Sequence, residues 1–153
     1  MSSVTFDKPY AAYSSVQLDI QVRFGAVINT NNYVLITFST EFIRMDAGAL
    51  TCSIVEGTTE TAKTCTTTQT SNVVNTIQIS NVCATSCSAT TTYTLRIKNV
   101  VNRLSVSAFS GTMLIETRID ASTLISTVTH ALSGVTTLSA GPFTPTVVRS
   151  VST

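Results

Sequence analysis

Residues 16–24 read Val-Gln-Leu-Asp-Ile-Gln-Val-Arg-Phe, an alternation that puts Val16, Leu18, Ile20, Val22 and Phe24 on one face. A helix cannot bury a pattern of period two, because its apolar stripe returns only every three to four residues; the segment is therefore a half-buried β-strand. The same signature recurs downstream. Tyr93, Leu95 and Ile97 point one way and Thr94, Arg96 and Lys98 the other, while Met113, Ile115, Thr117 and Ile119 share a face opposite Glu116, Arg118 and Asp120.

The intervening segments read as further short strands. Gly25 and the asparagines of 29–32 mark a turn into Tyr33-Val-Leu-Ile-Thr-Phe38, whose unbroken apolar run predicts a strand covered on both faces and closing a first hairpin. More strands are predicted at 51–55, 64–68, 73–79 and 104–109, with one or two within 123–138, where Gly134 is a break. Glu56-Gly57-Thr58, the 83–88 loop and Ser110-Gly111 supply turns. The stretch 41–50, with Asp46-Ala47-Gly48, is the one place for a helical turn. Many short strands at regular spacing predict an all-β fold, an antiparallel β-sandwich of Greek-key or immunoglobulin-like type with an extended terminal strand. Without tryptophan, the core of a true antibody domain is excluded.

A chain of 153 residues suits one core. The sandwich is assigned to 1–138, with 1–9 as an N-terminal arm, 139–145 as a Gly/Pro linker and 146–153 as a C-terminal strand. Charged residues make up 11% of the chain, against about 25% in an average globular protein, so serine and threonine carry the surface polarity. At 43% hydrophobic residues and a net charge of +1 the chain is not of disordered composition. Scattered Lys and Arg give no basic footprint for nucleic acid, and no apolar run nears the roughly 20 residues that span a bilayer. A surface so poor in charge repels its own copies weakly, which suits a subunit that packs against neighbours.

Cys52, Cys65, Cys83 and Cys87 are even in number, and two disulfides are the preferred reading over a zinc site or reduced core thiols. Cys52 with Cys65 and Cys83 with Cys87 is the favoured connectivity, since each closes a local loop. Residues 1–10 carry no basic and apolar leader. Either the numbering begins at a mature or trimmed end or the protein is not secreted, and the cysteines favour an extracellular or cell-surface location.

The strand ending in Tyr33–Phe38, the irregular stretch after it, the Cys52-Ser53 strand, the Thr-rich Cys65 loop and the second local cysteine pair form a recurring pattern. By shape, over about two-thirds of the chain, it resembles the Ser/Thr-rich sandwich repeats of large surface proteins of ciliates and other aquatic protists. The resemblance implies a structural module with no catalytic residues.

No catalytic, cofactor-binding or metal-ligating set emerges, and the expectation is a protein that is not an enzyme. His130 has no cysteine neighbour and no G-x-S-x-G elbow accompanies it. Glu116 and Asp120, four residues apart on a strand, would stand ~13 Å from each other, too far for a glycosidase pair. They read as a solvated charge row with Arg118. Asp7, Asp19, Glu41, Asp46, Glu56 and Glu60 are dispersed, and no N-x-[ST] acceptor occurs beyond the rarer Asn81-Val-Cys83. Thr66, Thr67, Thr68 and Thr70, with Thr90, Thr91 and Thr92, are candidates for O-linked glycans, weighed against threonine simply serving β-propensity.

The leading functional expectation is a structural subunit of an extracellular filament or surface coat. Its partners would be copies of itself in a helical or linear homopolymer, joined head to tail by strand donation. The donor is Thr146, Val147, Val148, Arg149, Ser150 and Val151 beyond the Gly/Pro spacer; the alternative donor is the arm Ser2, Ser3, Val4, Thr5 and Phe6. The competing expectation is an extracellular carbohydrate- or surface-binding module, with a hydrolase a distant third. Exposed aromatics separate the first two, and the chain offers only Tyr10, Tyr13, Tyr33 and Tyr93 beside its phenylalanines.

Overall fold

The computed structural model describes residues 3–7, 14–39, 41–45, 49–103 and 111–132. These hold β1 (Ser3–Phe6), β2 (Val16–Arg23), β3 (Ile28–Asn29), β4 (Tyr33–Phe38), β5 (Ile43–Met45), β6 (Thr51–Glu56), β7 (Thr59–Lys63), β8 (Cys65–Thr70), β9 (Val73–Ser80), β10 (Ser86–Cys87), β11 (Thr92–Asn102), β12 (Thr112–Arg118) and β13 (Leu124–Ala131). Among the described residues no helix is long and apolar enough to cross a membrane.

The strands form an antiparallel sandwich. One layer runs β1-β2-β11-β6-β7 and the other β8-β9-β4-β12-β13, with β5 bonded to both β11 and β9 so that the layers join. The chain passes from layer to layer, and most strand neighbours are not consecutive in sequence, as in Greek-key and immunoglobulin-like folds. Register explains the burial. In the first layer Leu18 and Cys52 flank Ile97, and Ile20 and Ile54 flank Leu95. In the second, Ile36 lies between Ile77 and Ile115, and Val34 between Ile79 and Thr117. All of these are buried, and the apolar ones form one cluster. Each fully buried aliphatic side chain there stabilises the fold by about 1.5–3 kcal/mol.

Local backbone chemistry sets the corners. Gly57, at φ 57°, opens the two-residue turn between Glu56 and Thr59, a place where a side chain would be strained. Ser71 and Asn72, at φ 50° and 67°, make the turn from β8 to β9. Asn99, at φ 64°, sits where β11 shifts register between Ile97 and Val100. That bulge bends the strand, so that it pairs with β6 over its first half and with β5 at its end.

Several expectations are corrected. Tyr33–Phe38 is not covered on both faces: Val34, Ile36 and Phe38 are buried, whereas Tyr33, Leu35 and Thr37 are half-buried. Nor does it form a hairpin with β2, because the two lie in opposite layers. Where a helical turn was expected in 41–50, Ile43–Met45 is a strand, and 46–48 lie outside the described residues. β7, polar on both faces, carries no alternation to reveal it. Ile119 does not continue the inner face of β12 but is 54% exposed, since the strand ends at Arg118. The strand expected at 104–109, the linker 139–145 and the donor residues 146–151 fall outside the described residues, as does Ser2. Ser3, Val4, Thr5 and Phe6 form β1 and pair with β2 of the same chain.

Both disulfides have the expected connectivity, Cys52–Cys65 and Cys83–Cys87, with Cα–Cα separations of 5.9 and 5.5 Å. The first is more than a local loop: Cys52 is on β6 and Cys65 on β8, the edge strand of the opposite layer, so it links the layers. Residues close in sequence are here on opposite sides of the layer change between β7 and β8.

Candidate functional site

Among the described residues β7 ends its layer, and β6 is the one strand hydrogen-bonded to it. Its partners tell which way each residue faces. Thr59, Thr61 and Lys63 sit opposite Glu56, Ile54 and Cys52, on the side that looks toward the second layer, while Glu60 and Ala62 face outward opposite Val55 and Ser53. Among the described residues, no strand of the second layer lines this margin. Instead the loop after β9 crosses there and leaves a groove of about 260 Å³. Its floor is Ile54, Val82, Tyr93 and the Cys83–Cys87 bridge; Thr59, Thr61 and Lys63 form one wall and Ala84, Thr85 and Ser86 the other.

Both walls are held. The loop is cross-linked by Cys83–Cys87, Val82 and both cysteines are buried, and Ser86 and Cys87 pair with β3. Asn32 Oδ1 accepts from the Asn29 amide at 2.8 Å, shaping the β3 turn, and the Ser88 amide donates to Tyr93 Oη at 2.9 Å. On the other wall, the outward face of β7 is tied down by Glu60. Lys98 Nζ and Ser53 Oγ donate to Glu60 Oε1, each at 2.7 Å, and Arg96 Nη1 donates to Oε2 at 2.8 Å. Arg96 in turn grips Asp19 on β2 through Nε and Nη2, at 2.9 and 2.8 Å.

This network crosses β2, β11, β6 and β7. Lys98 above all, then Ser53 and Arg96, hold the Glu60 carboxyl at about 2. Asp19 and Glu60, dispersed in sequence, are thus gathered on one outer face with Arg96 and Lys98. A cross-strand reading of the alternating 93–98 segment could have paired Arg96 with a carboxylate, but it could not name which one.

Lys63 differs from Arg96 and Lys98 of the same layer. No ion pair is found for it among the described residues, and burial alone pushes its ammonium below the ordinary lysine value. Glu56 lines the opposite end of the groove. By strand rise the two charged ends stand about 13 Å apart.

The remaining residues singled out from sequence do not join this site. His130 is half-buried on β13, at a shallow groove with Arg23, Phe24 and Val128, and its Nε2 is buried with no hydrogen-bond partner among the described residues. No carboxylate lines that groove among the described residues. Glu116 pairs with Arg118 at 2.8 Å, whereas Asp120 leaves the expected charge row. Asp120 accepts from the amides and hydroxyls of Ser122 and Thr123, Ser122 most strongly, and its carboxyl is held at about 2. Of the threonines, Thr66, Thr68, Thr70, Thr90 and Thr92 are exposed and Thr67 and Thr91 half-buried. No cluster of three or more His, Cys, Asp or Glu suited to a metal occurs among the described residues.

The protein is thus an antiparallel β-sandwich, stapled across its layers by one disulfide and carrying a hydroxyl-lined groove at one edge. No family model and no curated protein matches the sequence. Among solved structures it is similar to a collagen-binding domain from a Staphylococcus aureus adhesin, at 8% identity and a TM-score of 0.41, over 84% of this chain and 94% of that one. It is similar to the collagen-binding domain of Erysipelothrix rhusiopathiae surface protein RspB, at 11% identity and 0.41, over 85% of this chain and 45% of that one. A structure of manganese lipoxygenase of Gaeumannomyces graminis with part of zonadhesin of Komagataella pastoris is similar at 10% identity and 0.41, over 86% and 45%. Likeness at this level bears on no ligand.

Proposed function

We propose that the protein is an extracellular, non-catalytic β-sandwich module that binds a macromolecular ligand along its β7 edge. The observation that carries this reading is the groove itself: a mobile edge would be a poor receptor, but here both walls are fixed in advance, one by a disulfide and one by the Glu60 network. Two disulfides fit an oxidising compartment, and a surface sparing in charge fits close contact with a partner. The resemblance to repeats of protist surface proteins agrees with a module of this kind.

The test is binding of the purified domain to arrays of glycans and of extracellular polypeptides, beside a Thr61→Trp variant that fills the groove from an exposed position. Ligand retained by the wild type and lost in the variant supports the reading. Absence of any binder, or binding indifferent to Thr61→Trp, overturns it.

A second reading, the self-assembling filament subunit, is favoured by one observation: β7, β8 and β13 are all exposed strands at layer edges. In it residues 146–151 of one copy add to an edge of the next, and the exposed threonines of β8 carry O-linked glycans. Electron microscopy of the full chain and of a 146–153 deletion tests the strand donation; polymers that persist in the deletion refute it. Intact mass of native material tests the glycans.

A further inference from the structure

The groove ligand can be named more closely, on the reading that the β7 edge is the binding site. We infer that the edge receives an extended polypeptide segment, added antiparallel to β7, with an acidic residue opposite Lys63, a small apolar residue opposite Thr61 and a basic residue opposite Thr59, whose long side chain reaches toward Glu56 on the neighbouring strand.

Three observations lead there. First, the side of β7 away from β6, unpaired among the described residues, presents backbone donors and acceptors at the spacing of a strand, and another strand is the ligand that matches them over five residues. A neutral sugar ring finds no exposed aromatic to stack on, since Tyr93, the one aromatic lining the groove among the described residues, is 3% exposed with its hydroxyl engaged by the Ser88 amide.

Second, the groove is polar at its ends and apolar in the middle. Lys63 and Glu56 mark the ends, and the floor between them is Ile54, Val82 and the Cys83–Cys87 bridge. A strand's side chains point to one face at every second residue, so three of them, at positions i, i+2 and i+4, would lie on the groove side of the sheet beside Lys63, Thr61 and Thr59 in turn. Lys63 is partly withdrawn from water and has no anion beside it among the described residues, so a carboxylate there completes an ion pair whose desolvation the fold has already borne.

Third, every ladder among the described residues is antiparallel. In that sense the added strand meets Lys63 first and Glu56 last, which fixes the order as acidic-x-apolar-x-basic. A parallel strand would require the reverse.

The order supplies the test. Two capped heptapeptides of identical composition, Thr-Glu-Thr-Val-Thr-Lys-Thr and Thr-Lys-Thr-Val-Thr-Glu-Thr, are titrated into ¹⁵N-labelled protein, and amide shifts are followed. The first should move the amides of 59–63 and 84–86, and the second should bind about five- to tenfold more weakly, because exchanging the ends replaces two attractions with two repulsions. In a Lys63→Gln, Glu56→Gln double variant, both substituted at the surface of the groove, the preference for order should vanish while the spectrum outside the groove stays in place.

Equal binding of both peptides to the wild type overturns the inference, as does an order preference that survives in the double variant. Shifts confined to other edges, or none up to the solubility limit, overturn it too. A tri-uronate that moves the same amides when neither peptide does would assign the groove to an acidic saccharide. In that outcome the strand inference fails while the β7 binding site stands; a Thr61→Trp variant with unchanged ligand binding would instead remove the site itself.

Discussion

Removing the Cys52–Cys65 bridge by Cys52→Ala and Cys65→Ala should destabilise the sandwich by about 3–4 kcal/mol. The bridge closes a loop with a sequence separation of 13, and loop closure of that length lowers the entropy of the unfolded chain by ~3 kcal/mol at 25 °C. Cys52 is buried beside Ile97 and Lys63, so loss of its sulfur adds up to ~1 kcal/mol of packing. With ~2.1 cal/mol/K of unfolding entropy per residue, 153 residues convert 3 kcal/mol into a fall in Tm of about 9 °C. Circular dichroism during heating measures it. Urea titration adds an independent signature, because the freed loop lets the unfolded chain expand and the m-value should rise. A Tm within about 3 °C of wild type together with an unchanged m-value would refute the loop-closure argument.

Other consequences follow from particular contacts. Ile36→Ala empties a site fully enclosed between Ile77 and Ile115 and should cost about 2–5 kcal/mol by urea denaturation; a cost under 1 kcal/mol would mean that this layer is not packed as described. Gly57→Ala, at φ 57° with open space around the added methyl, should cost roughly 1 kcal/mol from backbone strain alone, and a stabilised variant would contradict the turn geometry. Glu60 and Asp120 both have carboxyls held at about 2, below their ordinary values of 4.5 and 3.8. A depressed folded-state pKa contributes stability above the ordinary carboxylate range and loses it as pH falls from there toward 2. Tm between pH 5 and 2.5 should therefore fall less steeply in Glu60→Gln than in wild type, and parallel profiles would count against the network.

How far the sequence alone reaches can be seen strand by strand. Where one face is buried and the other wet, as in β2, β11 and β12, period two is written into the residues, and Leu18, Leu95 and Ile115 could be assigned to the core from their neighbours alone. The even, closely spaced cysteines likewise favoured their observed pairing. β7 was invisible because Thr59-Glu60-Thr61-Ala62-Lys63 buries little, so nothing in its composition records that it is a strand or which side is open. Layer membership is also non-local: β2 and β4, with only the short β3 between them in sequence, lie in different layers, and the layer change between β7 and β8 turns a seemingly local disulfide into a staple between the layers. The groove depends on all of this. Lys63, Glu56 and the 83–87 bridge meet only because β7 runs past the margin of the opposite layer, and long-range strand order, which no local pattern encodes, decides where that margin falls.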